Sequence, residues 1–212
     1  MNTATTTHFG IIRHAPTVWN EEKRIQGQHD NPLSARGRTM AREWGEQLSE
    51  LPWNRLLCSD LARGKQTAEL VNMALHLPTA KDPRLREQNW GAWTGMTLRE
   101  VNEENNDLLR KQEQRGWNFQ PPGGESRREV LARSLAALAD ARAPGESILV
   151  ICHQGVIKCL LYHLLGRLFL PEEPKVIAPF HLHLLAMEDD TLSLARMNCL
   201  GLNVNPTGVP DK

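Results

Sequence analysis

The sequence predicts an α/β protein, a three-layer α/β/α sandwich around a mostly parallel sheet. Three observations carry that expectation. Short apolar runs of strand character alternate with longer amphipathic runs along most of the chain. No internal repeat or low-complexity linker divides the 212 residues, a length that one domain can hold around a single core. Three of the strand-like runs stop on conspicuous polar residues: Arg13-His14, Ser59-Asp60 with Arg63 close behind, and His153-Gln154. In open α/β sheets, ligands bind beyond the carboxyl ends of the strands.

Taken in order, HFGII is apolar and ends in turn chemistry, so it reads as a short buried strand. SARGRTMAREWGEQLSEL reads as a helix, because Met40, Trp44, Leu48 and Leu51 recur at helical spacing and Pro52 stops it. NRLLCS is a second strand, and ARGKQTAELVNMAL follows it as a helix. TLREVNEENNDLLRKQEQRG is helical in propensity but heavily charged, which places it outside the main core. PPGGES is a loop, with PPGG expected to be mobile. Ser126 and Glu129 have the spacing of a capping box, opening a helix through Ala141. SILVIC is a buried strand, and GVIKCLLYHLLG a helix closed by Gly166. FHLHLLAM and TLSLARM flank an acidic turn and predict a terminal antiparallel hairpin on the sheet edge.

Bulk properties narrow the function. Hydrophobic content of 40% and charged content of 24% are ordinary for a globular protein. The formal net charge of zero supplies no global field for nucleic acid or an anionic membrane. Cys58, Cys152, Cys159 and Cys199 are scattered without a CxxC pair, which fits reduced thiols better than a disulfide framework or a zinc site. There is no HExxH and no compact Asp/His cluster, so neither metal nor cofactor is expected. No stretch reaches the ~18 apolar residues of a membrane span, and the N-terminus lacks a signal-peptide pattern; a cytoplasmic protein is the expectation.

The polar strand ends suggest one chemistry. Two guanidiniums, Arg13 and Arg63, can hold the oxygens of a phosphate monoester. A neutral imidazole can attack phosphorus, and a second one, when protonated, can donate to the same oxygens. A carboxylic acid such as Glu87, in the tryptophan- and glycine-rich RLREQNWGAWTG, can protonate the leaving oxygen. Taken singly, each residue has a plainer reading: His14 and His153 as hydrogen-bonded structural histidines, Arg63 as a surface cation, Glu87 as a solvated carboxylate.

Six segments occurring in order remove that ambiguity. IIRHAPTVWN, RIQGQHDNPLSARG, CSDLARGKQTAE, LREQNWGAWTG, PPGGES and VICHQGVI together resemble the histidine phosphatase superfamily, the phosphoglycerate mutase-like group, from about Phe9 to Leu165. The layout is similar to the α-ribazole phosphatase branch and equally to broad-specificity phosphatases. By that resemblance His14 is the phosphorylated nucleophile, Arg13 and Arg63 bind phosphate, Glu87 is the proton donor and His153 the second pocket histidine. Asn20 and Gln154 sit where the family places supporting phosphate contacts, and Gln26, Gly27 and Gln28 lie in the loop that folds over the site. Ala15 stands where the family most often has glycine. The resemblance implies one histidine-phosphatase-like domain over residues 1–212, with a small helical cap inserted at roughly 90–125 and its charged part at Thr97 to Gly116.

The implied function is metal-independent hydrolysis of a small phosphorylated metabolite through a phosphohistidine, with α-ribazole 5′-phosphate as a candidate substrate. A cofactor-dependent phosphoglycerate mutase and a non-catalytic phospho-ligand binding protein are the alternatives. Trp90, Trp93, Trp117 and Phe119 either line the substrate pocket or pack the cap. No nucleic-acid or membrane partner is expected, and the exposed edge around Phe180 to Met187 is one place where a homodimer could form.

Overall fold

A computed structural model describes residues 5–202. Its centre is a six-stranded sheet in the order β3-β2-β4-β1-β5-β6. The strands are β1 (Thr7–Arg13), β2 (Arg55–Cys58), β3 (Thr79–Lys81), β4 (Ser147–Cys152), β5 (His181–Glu188) and β6 (Thr191–Gly201). The first four are mutually parallel, and β5 and β6 complete the sheet as an antiparallel hairpin. Mixed sheets of this kind are common in α/β folds.

The helices are α1 (Val18–Glu21), α2 (Ala35–Leu48), α3 (Ala62–Leu75), α4 (Leu98–Glu113), α5 (Arg127–Asp140) and α6 (Gln154–Leu164). Alternation along the strands splits the core into two layers. Phe9, Ile11, Leu57, Ile148, Val150 and Cys152 face α5 and α6. Ile12, Leu56, Cys58, Leu149 and Ile151 face the other way, onto α2 and α3. The expected three-layer sandwich is therefore the observed one. Met40, Trp44 and Leu48 are fully buried as their spacing predicts, whereas Leu51 lies beyond the end of α2 and is only half-buried. Ser126 and Glu129 form the capping box, and Gly166 takes the left-handed conformation past α6.

Three expectations need correction. The Phe180–Met187 segment is not an edge: β5 is paired with β1 on one side and β6 on the other, so the exposed edge there is β6. PPGG is tied down on the segment from Asn89 to Ala92, with Ala92 N donating to Pro122 O at 2.9 Å and Glu125 N to Asn89 O at 2.9 Å. Trp117 does not join the other three aromatic residues. Its ring packs on Phe169 at 4.9 Å and its indole N–H donates to Arg167 O. Trp93 and Phe119 are buried with Val101 and Leu109 in a small separate core beneath α4, which is why that charged helix folds without reaching the main one.

Among the described residues, no helix is long and apolar enough to cross a membrane. Cys58 and Cys159 are buried free thiols whose pKa values burial pushes up to about 11 and about 12.

Candidate active site

Strand register brings the three polar strand ends together. Arg13 of β1 is the partner of Cys152 of β4, so His14 and His153 leave the sheet side by side. Their ring centroids are 5.1 Å apart. On the other flank of β4, Cys58 pairs with Ile151, and Ser59 N still donates to Ile151 O at 3.0 Å. The chain then turns into α3, whose second residue is Arg63. Three carboxyl ends thus converge on one spot.

His14 is 2 % exposed, and its Nδ1 lies 2.7 Å from Ala15 O. A carbonyl only accepts, so Nδ1 carries the proton and Nε2 keeps its lone pair. Burial first, then Arg13 and Arg63, hold the His14 pKa well below the ordinary 6.5, so the ring is neutral at neutral pH. Ala15 fits without strain: it is not among the positive-φ residues, and its N–H donates to Thr67 Oγ1 at 3.0 Å. The glycine usual at that position in the family is not required here.

Arg63 is fully buried yet remains a cation, its pKa lowered to about 10 mainly by burial. Its Nε–H donates to His153 Nδ1 at 3.2 Å, Nη1 to His29 O at 2.8 Å and Nη2 to Gly27 O at 2.7 Å. That leaves one N–H on each terminal nitrogen for an anion. The bond from Arg63 also settles the tautomer of His153. With Nδ1 as an acceptor, the proton sits on Nε2, which is buried and has no partner. Burial, Arg63, His14 and Arg13 all lower the His153 pKa well below 6.5. At neutral pH His153 is therefore neutral and offers a single N–H. Arg13 Nε is likewise buried and without a partner. Unpaired buried donors of this kind are costly, and here two of them belong to residues that meet at one spot.

Glu87 is held from both ends. Its Oε1 accepts from Gln88 N at 2.7 Å and from Gly155 N, near the start of α6, at 3.1 Å. Its own carbonyl accepts from Gln28 Nε2 at 3.2 Å and Arg133 Nη2 at 3.0 Å. Arg133 also makes a two-pronged pair with Glu125 at 2.7 and 3.0 Å. This support was not anticipated, and the only signal for it is the position of Glu125 inside PPGGES.

A cavity of about 250 Å³ opens over these groups, lined in part by Arg13, His14, Asn20, Gln26, Gly27, Arg63 and Glu87. Seven of the ten anticipated residues thus share one wall. His153 lies behind it, fully buried. Gln28 acts through Glu87 rather than on the cavity, and Gln154 opens α6 beside it without lining it. Asn20 caps its own one-turn helix by accepting from Thr17 N at 3.1 Å. Sequence reasoning missed Lys23, Arg24, Ile25 and Leu98, which complete the lining with Trp90. Trp90 thus does both jobs: it lines the cavity and packs edge-on against Phe119 at 5.5 Å. Among the described residues, no three His, Cys, Asp or Glu side chains converge to hold a metal ion.

Comparison with known proteins shows the family and the fold. The family model described as "Histidine phosphatase superfamily (branch 1)" matches residues 9–200. A relative from Salmonella choleraesuis named "Probable phosphoglycerate mutase GpmB" is 35% identical over 158 residues, 74% of either chain. The solved structure of Bacillus stearothermophilus YhfR is 28% identical, covering 92% of this chain and 98% of that one with a TM-score of 0.83. A mycobacterial glucosyl-3-phosphoglycerate phosphatase in complex with VO3 is 27% identical over 90% of this chain and 98% of that one, with a TM-score of 0.78.

Proposed function

The chain belongs to the histidine phosphatase superfamily, and on that premise we propose that it hydrolyses a small phosphomonoester through a phosphohistidine on His14, without a metal ion. The observation that carries this reading is the 2.7 Å contact of His14 Nδ1 with Ala15 O. It supports the tautomer whose free Nε2 can act as a nucleophile at neutral pH.

In the first half-reaction the Nε2 lone pair attacks phosphorus in line while the ester P–O bond breaks. Arg13, the two remaining N–H groups of Arg63 and the Nε2–H of His153 hold the non-bridging oxygens as charge moves across them. Glu87, the one carboxyl group in the lining, hands its proton to the leaving oxygen. In the second half-reaction Glu87 takes a proton from water, which attacks the phosphohistidine. The N–P electron pair returns to Nε2 and inorganic phosphate leaves.

The cavity of about 250 Å³ favours a compact substrate, since pockets that enclose drug-sized ligands span about 300–1,000 Å³. α-Ribazole 5′-phosphate belongs in the test panel as a candidate whose nucleoside would extend past the rim. A cytoplasmic location goes with this reading. The test is a panel of phosphomonoesters in excess EDTA, followed by rapid acid-free quench of a brief substrate exposure. Acid-labile phosphate on the imidazole, lost in His14→Ala, is the expected result. Labelling that survives the substitution, or activity that needs a divalent ion, overturns it.

A mutase is the second reading, favoured by the name of the 35%-identical relative. It makes the same phosphoenzyme but returns the phosphoryl group to an alcohol held in line. Mixing labelled phosphoenzyme with 3-phosphoglycerate separates the two: free phosphate for the hydrolase, labelled bisphosphoglycerate for the mutase.

A further inference from the structure

We infer that Lys23 selects substrates whose leaving group carries a second anionic group, so that the preferred phosphomonoesters are those of acids rather than of neutral alcohols. The inference rests on the phosphomonoester reading and extends it to a further cation of the same cavity.

Four cations line the cavity against the single carboxylate of Glu87. Arg13 and Arg63 together balance the roughly two charges of a phosphate monoester. Arg24 is already engaged: its Nε pairs with Glu22 at 3.0 Å, and its Nη1 donates to Gly95 O at 2.8 Å and lies 3.5 Å from Glu100. Among the described residues of the lining, Lys23 is the cation left over, with neither a hydrogen bond nor an ion pair from its ammonium group. An ordinary solvated lysine needs no partner, but this one is not ordinarily placed. Its φ is +58°, in the left-handed region that L-residues avoid. That conformation is held by Lys23 N donating to Asn20 O at 3.1 Å and Arg24 N to Trp19 O at 2.8 Å. The next residue, Ile25, is pinned to the base of the α4 region by Ile25 N to Met96 O and Gly95 N to Ile25 O, both at 2.8 Å. The backbone that brings Lys23 to the cavity lining is therefore fixed, and strain of this kind gathers at ligand sites. The remaining lining, Ile25, Trp90 and Leu98, is apolar. A substrate that fits has phosphate at one end, a short apolar link, and a carboxylate or second phosphate for Lys23.

The test compares the full-length protein with Lys23→Met, Lys23→Arg and Lys23→Glu. Lys23 is exposed, and each replacement bears the same left-handed backbone, so the fold is retained. The probes are 3-(phosphonooxy)propanoate, its carboxamide isostere and propane-1,3-diyl bisphosphate. The readout is the kcat/KM of each anionic ester divided by that of the amide. Lys23→Met should lower this ratio about tenfold, as loss of a charge-assisted hydrogen bond does. Lys23→Glu should lower it further and Lys23→Arg should hold it within about threefold. The larger fall identifies carboxylate or phosphate as the group Lys23 reads. Ratios that move less than about threefold in both Lys23→Met and Lys23→Glu, with all esters hydrolysed, overturn the inference and leave the hydrolase intact. No hydrolysis of any ester counts against the hydrolase instead. The same ratios are then read as calorimetric affinities, where equal binding of acid and amide overturns the role of Lys23.

Discussion

A methyl group on Gly155 would sit 2.1 Å from Oε1 of Glu87, closer than any non-bonded carbon and oxygen remain. The absence of a side chain there is what lets the start of α6 hold the carboxylate through the Gly155 N–H. Gly155→Ala should therefore separate folding from catalysis. The obstructed atom is the end of a flexible side chain and can swing away, while alanine favours the helix by up to about 1 kcal/mol. The melting temperature should stay level or rise. Displacing the proposed proton donor should lower kcat by about 10–100-fold, part of the 10²–10⁴ that general acid catalysis contributes. A variant of unchanged kcat would show that Glu87 need not sit against α6.

The leaving group reports on Glu87 directly. Glu87→Gln keeps the shape and removes the proton. An alkoxide cannot leave without that proton, whereas p-nitrophenolate can. Alkyl phosphates should slow by about 10²–10⁴-fold and p-nitrophenyl phosphate by far less. Equal losses on both substrates would assign Glu87 a positioning role only.

Arg63 makes three contacts that a lysine cannot reproduce together, to His153 Nδ1, His29 O and Gly27 O. Lysine carries the same charge on a single nitrogen with no fixed fork. Arg63→Lys should lower kcat/KM by about 10²–10³-fold, the cost of removing an oriented donor from a developing charge. It should also free Nδ1 of His153 to take the proton, so the loss should exceed that of Arg13→Lys, because Arg13 makes no hydrogen bond through Nε. Comparable losses in the two variants would mean that fixing the His153 tautomer contributes nothing.

Much of this was legible in the sequence, and the reasons are particular. SILVIC and ARGKQTAELVNMAL were readable because local pattern and tertiary role coincide: β4 is buried along its length, and α3 spans that segment end to end. The three-residue strand β3 was not, because TAK is fully exposed and owes its strand character to pairing with β2. α1 escaped notice for a similar reason, as a single turn created by the Thr17–Asn20 cap. At the candidate site, whose residues the structure brings together, Arg13, His14, Arg63, Glu87 and His153 were singled out by motif order. The tautomers were not, since they depend on Ala15 O and on an arginine 90 residues away from His153. Lys23 was missed because nothing local distinguishes it from the charged residues around it; only the backbone turn that brings it to the cavity lining does so.

The buried histidines should make the protein acid-sensitive. Burial is the leading cause that holds His14 and His153 well below 6.5, and it pushes His183 down to about 4. In the unfolded chain all three titrate near 6.5. Above that pH neither state binds the extra protons, and stability is level. As the pH falls below 6.5, the unfolded chain takes them up and the folded one does not, so stability falls with pH. Each such proton is worth about 1.4 kcal/mol per pH unit, so the slope approaches about 4 kcal/mol per unit between pH 6 and 5. Asp60 beside Arg86 and Asp82 beside Arg84 add a loss in the same direction, but only as pH falls to and below the ordinary carboxylate value. Urea unfolding at pH 7.5, 6.5, 5.5 and 5.0 should show a flat segment and then a steep decline, and His153→Asn should remove about a third of the slope. Stability that stays level from pH 7.5 to 5.0 would mean that the buried imidazoles accept protons in place, and the neutral His14 on which the proposed attack depends would have to be abandoned.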